Sequence, residues 1–225
     1  MKHDLDSCGF FLAKHCFTEP QVQQLLAITH ELGRENSNYG VRNILQRAPA
    51  LCAIINSSPV RRLIEPILGR TAVPVRSLYF DKNPEANWNV AWHQDTMIAV
   101  TEKFDLPGFG PWSEKAGIMH VEPPGSLLEN ILTMRIHLDQ TDQQNGALRI
   151  IPGSHKYGRL TSAEILNHVE NTSVVTCTAQ AGDVLLMRPL LLHSSRKSTN
   201  PLHRRIIHIE FSSVTLPSPL QWREV

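Results

Sequence analysis

The sequence has few cysteines, and they are far apart. Its 225 residues include only Cys8, Cys16, Cys52 and Cys177, and no two of them form a CxxC pair. Four dispersed cysteines are too few to crosslink a chain of this length into a disulfide scaffold. We therefore expect reduced thiols that pack as small apolar groups.

Long apolar runs and an excess of charge are also missing. No run approaches the roughly 18 apolar residues of a membrane-spanning helix, and the first residues are polar where the apolar part of a secretion signal would lie. Lys and Arg number 22 against 21 Asp and Glu, without a basic block. Nucleic acids and acidic membranes select basic surfaces, so both are disfavoured as partners. We expect a cytoplasmic protein.

Residues 1–70 carry mainly helical patterns. The segment 18–21 has the spacing of a capping box, and an apolar stripe at helical spacing follows it. Ser58-Pro59 begins a second amphipathic helix, and Gly69 stands where a left-handed residue would end it. One short apolar run, 10–13, is predicted as a strand.

From Thr71 onward the apolar period changes to two, with Pro, Gly and Asn between the runs. The predicted strands are 72–80, 88–95, 131–138, 147–151, 173–178, 183–187 and 203–212. They do not alternate with helices, which favours a mainly antiparallel β body, a jelly roll, with the N-terminal helices packed outside. We interpret 1–225 as a single domain with 71–225 as its core.

Residues 97–130 interrupt this regularity. The segment contains several Pro and Gly residues together with Phe104, Phe109 and Trp112. An unstructured loop of this length is uncommon in a compact domain and is typically a lid, a binding loop or disordered. The aromatic residues favour a lid.

Two histidines and one aspartate stand at the ends of strand-like runs. His93 and Asp95 are two residues apart, so an extended backbone turns both side chains to one face. His193 ends the later apolar run 183–193. If the two run ends are neighbours, the three residues form the 2-His-1-carboxylate triad, which leaves coordination positions of Fe(II) open for a bidentate co-substrate and O2.

The co-substrate of such chemistry, 2-oxoglutarate, has a distal carboxylate that suits a guanidinium fork with a hydroxyl beside it. Arg204 follows His193 by 11 residues, and Ser195 lies on the same strand face as His193. Arg205 is the alternative to Arg204, because a shift of one residue in register exchanges the two faces of a strand. Ser195 could also bond only a local turn.

Four ordered segments resemble the phytanoyl-CoA dioxygenase family of Fe(II)/2-oxoglutarate oxygenases: 92–95 (WHQD), 145–155 (NGALRIIPGSH), 181–187 (AGDVLLM) and 193–195 (HSS) followed by Arg204. The resemblance covers most of the chain. It implies a double-stranded β-helix of the cupin-like type, with iron on His93, Asp95 and His193. It also implies 2-oxoglutarate on Arg204 and Ser195, and a small polar residue near 2-oxoglutarate at Thr133.

Other polar residues keep open interpretations. Arg135 alternates with Thr133 and could meet a substrate carboxylate or be neutralised inside the wall. His120 could contact substrate from the lid or be a solvated loop residue. Alternation places Arg76, Lys82 and Tyr79 at the mouth of the barrel as a further hypothesis.

These residues predict an Fe(II)/2-oxoglutarate-dependent dioxygenase that hydroxylates a small molecule and releases succinate and CO2. Asp95 retains the carboxylate that related halogenases replace, so hydroxylation or another oxidation such as desaturation is favoured. The sequence contains no Lys/Arg cluster of the kind that binds a nucleotide phosphate, which disfavours a CoA thioester as the substrate. The alternative is a non-catalytic jelly-roll module that retains a metal.

Overall fold

The computed structural model describes residues 1–34, 40–200 and 202–224. The α-helices are Lys2–Ser7 (α1), Glu19–Arg34 (α2), Ile44–Arg47 (α3), Ala50–Ile55 (α4), Ser58–Leu68 (α5), Gly125–Leu128 (α6) and Ser162–Asn171 (α7), with a 3₁₀ helix at Ser154–Tyr157. Within these ranges no helix combines the length and apolar character needed to cross a membrane.

The strands account for most of the regular structure after residue 70. They are Phe10–Ala13 (β1), Val41–Arg42 (β2), Val73–Lys82 (β3), Val90–His93 (β4), Ile98–Val100 (β5), Trp112–Lys115 (β6), Ile118–Val121 (β7), Ile131–His137 (β8), Leu148–Ile150 (β9), Val175–Cys177 (β10), Val184–Met187 (β11), His193–Ser195 (β12) and Arg204–Ser212 (β13).

Two antiparallel sheets form the jelly roll. The larger has the strand order β1-β11-β8-β13-β3-β2, and the smaller has the order β10-β9-β12-β4. Because β11 belongs to the larger sheet and β12 to the smaller, the chain changes sheet between Met187 and His193. The mainly β, cupin-like jelly roll predicted from the sequence is confirmed.

The helices cover one face of the larger sheet. Apolar residues of α2, α4 and α5 pack against alternate residues of β8 and β13, such as Ile136 and Ile207. The other residues of these strands, including Arg135 and His208, point toward the smaller sheet. The same alternation therefore builds an apolar core on one side and a polar interior on the other.

Ile64 tests how much this helical layer contributes to stability. Its side chain is fully buried between α5 and the larger sheet. We expect Ile64→Ala to lower the free energy of unfolding by about 2–5 kcal/mol, because the substitution removes buried methylenes and leaves a cavity. Leu166→Ala on α7, where the leucine is exposed, should change it by less than about 0.5 kcal/mol. Urea unfolding of both variants measures the difference, and equal losses would contradict it.

Each strand predicted from the sequence has a counterpart in the structure, but the run 183–193 is not one strand. It divides into β11 and β12, with Pro189 in the turn between them. A proline supplies no N–H for a ladder, so the run cannot continue through it. His193 accordingly begins a strand of the smaller sheet instead of ending one of the larger.

The expectation of an unstructured segment at 97–130 is also wrong. It contains α6 and the strands β5, β6 and β7, which form a separate sheet in the order β5-β7-β6. Its aromatic residues pack on an apolar cluster that includes Trp222 from the C-terminal segment. Helix α7 was not predicted, and Gly69 has a positive φ with an extended ψ instead of the left-handed helical geometry expected.

Candidate functional site

A cavity of about 440 Å³ lies between the two sheets. Leu78, Phe80 and Trp88 form part of its apolar wall, while His93, Asp95, His193, Ser195, Arg204 and Arg135 are among its polar lining residues. The jelly roll thus gathers residues that are far apart in the sequence, from Arg42 to His208, into one enclosure. Most of the residues predicted for the site lie in it.

Strand pairing brings the two histidines together. β12 runs antiparallel to β4, and His193 stands directly opposite His93 in that ladder. The ring centroids are 4.1 Å apart. The carboxylate of Asp95 lies beyond the end of β4, with Oδ1 3.9 Å from Nε2 of His93 and Oδ2 3.6 Å from Nε2 of His193.

Backbone carbonyls orient both imidazole rings. Nδ1 of His93 lies 2.9 Å from the carbonyl oxygen of Ala91, and Nδ1 of His193 lies 2.8 Å from that of Leu191. A carbonyl only accepts, so each Nδ1 donates and each neutral ring presents the lone pair of Nε2. This is the tautomer that a metal ligand requires, with the second-shell bond that normally accompanies it.

Gln94 holds the loop that carries Asp95. Its amide donates to the carbonyl oxygens of Leu190 and Gly158 at 2.7 and 2.8 Å, and its own oxygen accepts from the N–H of Leu160 at 2.8 Å. The N–H of Asp95 donates to the carbonyl oxygen of Pro189 at 2.9 Å. The middle residue of the HQD motif therefore fixes the backbone on which the carboxylate is presented.

The three side chains could hold one divalent metal ion. Their ligand atoms lie within 4.8 Å of one another. Burial, followed by the charge of His93, lowers the pKa of His193 to about 3, so this ring is neutral at neutral pH. Burial acts to raise the pKa of Asp95, but the neighbouring histidines and Arg76 outweigh it and keep the carboxylate ionised. Two imidazole nitrogens and one carboxylate match the donor requirement of Fe(II) or a similar ion.

The carbonyl oxygen of Gly146 accepts two side-chain hydrogen bonds at the other end of the cavity. It accepts from the hydroxyl of Ser195 at 2.7 Å and from Nη1 of Arg204 at 3.2 Å. Nε of Arg204 is buried and has no protein partner. A buried guanidinium with an unused donor can receive an anionic oxygen, so the end of the cavity around Arg204 is suited to a carboxylate.

The family comparison agrees with this geometry. The family model described as "Phytanoyl-CoA dioxygenase (PhyH)" matches residues 33–206. The chain belongs to the phytanoyl-CoA dioxygenase family. Members of this family are Fe(II)/2-oxoglutarate-dependent oxygenases, so the coarse class of enzyme predicted from the sequence is confirmed.

Solved structures share the fold at low sequence identity. The non-haem α-ketoglutarate-dependent epimerase SnoN from nogalamycin biosynthesis is 16% identical with a TM-score of 0.69, over 93% of this chain and 80% of that one. EctD from S. alaskensis with 2-oxoglutarate and 5-hydroxyectoine is 17% identical with a TM-score of 0.71, over 94% and 74%. HygX from Streptomyces hygroscopicus with nickel and 2-oxoglutarate is 14% identical with a TM-score of 0.65, over 93% and 84%.

A buried network crosses the interior of this phytanoyl-CoA dioxygenase family member. Nη1 of Arg135 donates to Nδ1 of His208 at 3.0 Å, so Nε2 of His208 carries the proton and faces Oε1 of Glu210 at 3.4 Å. The same carboxylate oxygen accepts from Nη1 of Arg76 at 2.8 Å. The network joins both ends of the cavity. Arg135 bonds a partner inside the wall, His208, and also lines the cavity. The sequence left these two placements of Arg135 as alternatives.

Several predicted residues lie elsewhere. Tyr79 packs with the helical layer and does not line the cavity mouth, because it alternates with Arg76 and Lys82 and so faces the opposite side of β3. His120 is buried in β7, where Nδ1 bonds the carbonyl of Ile118. The interpretation of His120 as a solvated loop residue is therefore wrong. Thr133 is fully buried with its hydroxyl unpartnered.

The structure also separates Arg204 from Arg205. Arg204 faces the cavity, whereas Arg205 forms a two-point ion pair with Asp139, with nitrogen–oxygen distances of 2.9 and 2.7 Å. Strand β13 begins at Arg204 and pairs that residue with Lys82 of β3. The register predicted from the spacing to His193 therefore corresponds to the register in the structure.

Lys82 is a buried cation next to this pair. Its Nζ donates to the hydroxyl of Ser195 and to the carbonyl of Arg196, each at 2.6 Å, and stands over the ring of Trp88. Burial lowers the pKa of Lys82 to about 7, and the charges of Arg204 and Arg135 add to the decrease. Two N–H bonds remain possible for the neutral amine, so its hydrogen bonds do not depend on the charge.

The depressed pKa predicts a pH dependence of stability. The unfolded chain keeps a proton on Lys82 up to its ordinary pKa of 10.5, whereas the folded protein releases it near 7. Between these values the unfolded state binds one more proton, so the free energy of unfolding rises with pH by up to about 1.4 kcal/mol per unit. Lys82→Met should lack this gain.

Urea unfolding between pH 7 and 9, in the absence of 2-oxoglutarate, measures this rise in the free energy of unfolding. Taking the difference between wild type and Lys82→Met at each pH removes the contribution of groups that titrate in both proteins. The wild type should gain stability relative to the variant as the pH rises. Parallel pH profiles would contradict the prediction.

Proposed function

We propose that this protein is an Fe(II)/2-oxoglutarate-dependent dioxygenase that hydroxylates a small molecule and releases succinate and CO2. The metal ligands in this proposal are His93, Asp95 and His193. The observation that carries it is the shared tautomer of the two histidines, whose Nε2 atoms face the Asp95 carboxylate while both Nδ1 atoms are tied to backbone carbonyls. A purely structural polar network has no need of two aligned imidazole lone pairs.

The donor set favours an open metal centre. Three protein ligands leave half of an octahedral coordination sphere for other groups. Structural zinc sites are usually closed and rich in thiolates, and no cysteine is among the residues that line this cavity in the described part of the chain. When bound, Fe(II) with 2-oxoglutarate supplies the oxidising chemistry, in which one oxygen atom of O2 enters succinate and the other enters the product.

Arg204 and Ser195 are proposed to bind the distal carboxylate of 2-oxoglutarate. Arg204 offers the unpartnered Nε, and a carboxylate could replace the carbonyl of Gly146 as the acceptor of Nη1. The Ser195 hydroxyl would turn from Gly146 toward the ligand, with Lys82 still donating to it. Thr133 completes the proposed set through its unpartnered hydroxyl in the interior of β8.

The protein's own residues would orient the reactants and exclude water. The Arg135–His208–Glu210 network holds the floor of the cavity rigid beneath the ligand triad. Phe80 and Trp88 give the cavity an apolar wall from which water is readily displaced. Positioning of this kind supplies much of the rate enhancement when a cofactor performs the difficult step.

Segment 97–130 is proposed to cover one side of the cavity mouth. Lys115 at the end of β6 lines the cavity, and the carbonyl of Met97 lies 3.5 Å from Nη1 of Arg76. The aromatic residues of the segment anchor it to the apolar cluster around Trp222. Closure over the mouth would exclude solvent during the reaction.

Hydroxylation is favoured over other oxidative outcomes because Asp95 is retained. Among structures of this fold, EctD was crystallised with 2-oxoglutarate and 5-hydroxyectoine, whereas SnoN is an epimerase. The small-molecule chemistry of these proteins agrees with a cavity of about 440 Å³, which suits a compact ligand beside 2-oxoglutarate.

An anaerobic titration tests the proposal. Protein freed of metal is mixed with Fe(II) and then with 2-oxoglutarate, and the weak visible charge-transfer band of a chelated keto acid is recorded. We expect the band in the wild type and its loss in His193→Ala. Succinate release that depends on Fe(II), O2 and 2-oxoglutarate should accompany it.

A folded protein that binds Fe(II) and develops no band would contradict the proposal. The non-catalytic jelly-roll module that holds a metal would then be the better description. Circular dichroism of each sample shows whether the loss of a band reflects lost ligands or a lost fold.

A further inference from the structure

Arg135 is a buried cation that lines the cavity and is 7% exposed. Its Nη1 donates to Nδ1 of His208 at 3.0 Å, while its Nε is buried and has no hydrogen-bond partner. In the described part of the chain, no carboxylate forms an ion pair with this guanidinium. A buried charge without an opposite charge is unfavourable, so Arg135 is suited to an anionic ligand.

Arg204 has the same character at another point of the cavity. It is 3% exposed, its Nη1 donates to the carbonyl oxygen of Gly146 at 3.2 Å, and its buried Nε has no partner. It too forms no ion pair with a carboxylate of the described residues. The cavity therefore offers two such guanidinium groups, and a dicarboxylate has one anionic group for each of them.

The two arginines enter the cavity from different positions on the larger sheet. Arg135 of β8 stands opposite His208 of β13 in the antiparallel ladder. Arg204 begins β13, four residues before His208, and stands opposite Lys82 of β3. At about 3.3 Å per residue, their backbones are separated by about 13 Å along the sheet. These separate attachment points favour contacts with two different carboxylates.

The ladder position of Arg135 is next to the proposed metal ligands. A ring nitrogen of His208 lies within 4.8 Å of a carboxylate oxygen of Asp95. The Arg135 guanidinium bonds that same ring, whereas Arg204 bonds the carbonyl of Gly146, which also accepts from Ser195. A keto acid bound to the metal through its keto end would therefore present the carboxylate beside the keto group to Arg135.

Aromatic contacts hold the Arg135 guanidinium in place. Its central carbon lies 5.7 Å from the centroid of the Phe80 ring, and that ring meets the His208 ring edge to face at 5.8 Å. An arginine that lies over an aromatic ring keeps its planar donors available at the edge of the guanidinium. Because the side chain is already ordered, it loses little conformational entropy when it binds an anion.

We propose that Arg135 binds the carboxylate beside the keto group of 2-oxoglutarate, while Arg204 binds the distal carboxylate. This inference rests on the proposed function and adds a second guanidinium to the co-substrate site. Arg135 then recognises the part of the molecule that all 2-keto acids share, and Arg204 recognises the part that is particular to a dicarboxylate. The binding of a 2-keto acid without a distal carboxylate should therefore depend on Arg135 and not on Arg204.

The experiment compares 2-oxoglutarate with 2-oxopentanoate, which has a methyl group in place of the distal carboxylate. Dissociation constants are measured by isothermal titration calorimetry on the protein loaded with Fe(II) without oxygen. This readout is binding, so it needs no turnover and no knowledge of the substrate. The wild type should bind 2-oxoglutarate about 30-fold or more tightly than 2-oxopentanoate.

Variants assign each arginine to one end of the keto acid. Arg135→Met should weaken both keto acids by about 10-fold and by the same factor. Arg204→Met should weaken 2-oxoglutarate by about 30-fold or more and leave 2-oxopentanoate within about 3-fold of the wild type. Arg61→Met is the control, because Arg61 lies on α5 and outside the cavity lining. It should leave both affinities within about 2-fold.

Arg135→Met also removes the donor to Nδ1 of His208, so circular dichroism is used to verify its fold. If this variant does not fold, Arg135→Gln replaces it, because the amide of glutamine retains an N–H for His208. The same 10-fold loss for both keto acids is expected.

Two results would overturn the proposal: unchanged affinities in the folded Arg135 variant, or a loss for 2-oxoglutarate alone. Either result together with a charge-transfer band in the wild type retains the dioxygenase and removes Arg135 from the keto end of its co-substrate. No band, with keto-acid binding that depends on Arg135, retains Arg135 and removes the dioxygenase. If the wild type binds neither keto acid, both proposals are wrong.

Discussion

His193→Ala is expected to abolish turnover. The substitution removes one of the two imidazoles of the proposed three-residue ligand set and leaves the Asp95 carboxylate, 3.6 Å away in the wild type, with a single histidine partner. Loss of an outer-shell partner alone costs about 10- to 100-fold in metal affinity or activity, so loss of a direct ligand should cost more. Succinate release and Fe(II) affinity are the two measurements.

A second histidine variant controls for the loss of any imidazole. His168 of α7 packs against the ring of Tyr157 and is not among the residues that line the cavity, so His168→Ala should retain both iron binding and turnover. His193 is buried, and its variant should be compared with the wild type by circular dichroism before the activity is interpreted. A folded His193→Ala protein with wild-type succinate release would rule out His193 as a metal ligand.

Arg204→Ala is expected to raise the KM for 2-oxoglutarate by about 30-fold or more. The guanidinium is buried and would form charge-assisted bonds with the distal carboxylate, which are worth about 2 to 3 kcal/mol. The turnover number at saturating 2-oxoglutarate should fall much less, because the Arg204 guanidinium bonds Gly146 and not the proposed metal ligands. Initial rates over a range of 2-oxoglutarate concentrations separate the two parameters.

Arg205→Ala provides the matched control for this variant. Arg205 is the next residue on β13, carries the same charge and binds Asp139 on the opposite face. Its loss should leave the KM for 2-oxoglutarate within about 3-fold of the wild type, because Arg205 and its half-buried partner Asp139 do not line the cavity. If both variants raise the KM equally, the effect is one of general charge and Arg204 has no specific contact.

Much of the fold and the metal-ligand candidates could be predicted because they depend on local patterns. Period-two alternation identified β3, β8 and β13, and two histidines at the ends of apolar runs pointed to one location. The spacing from His193 to Arg204 distinguished Arg204 from Arg205. A single sequence is enough to detect these signals, because each involves residues on one strand, on two paired strands or on two strands consecutive in the chain.

What the sequence could not predict depends on packing between distant segments. Arg76, Lys115 and Arg135 line one cavity but are far apart in the chain, so their positive charges do not form a visible basic block in the sequence. Tyr79 was assigned to the wrong face although strict alternation with Arg76 and Lys82 would have excluded it. The strands of 97–130 were hidden because their apolar residues pack on Trp222 at the other end of the chain.

Strand β4 lies at the margin of the smaller sheet, so a metal ion bound at the proposed site would also have a mechanical role. Among the described residues this strand pairs with one other strand, β12, and it carries His93 while the following loop carries Asp95. An ion bound to both strands would hold β4 against β12 at the edge of the sheet. This matters because exposed sheet edges can pair with other chains. Because a ligand that binds only the folded state stabilises it by mass action, iron supply should govern how long the folded protein survives as well as how fast it works.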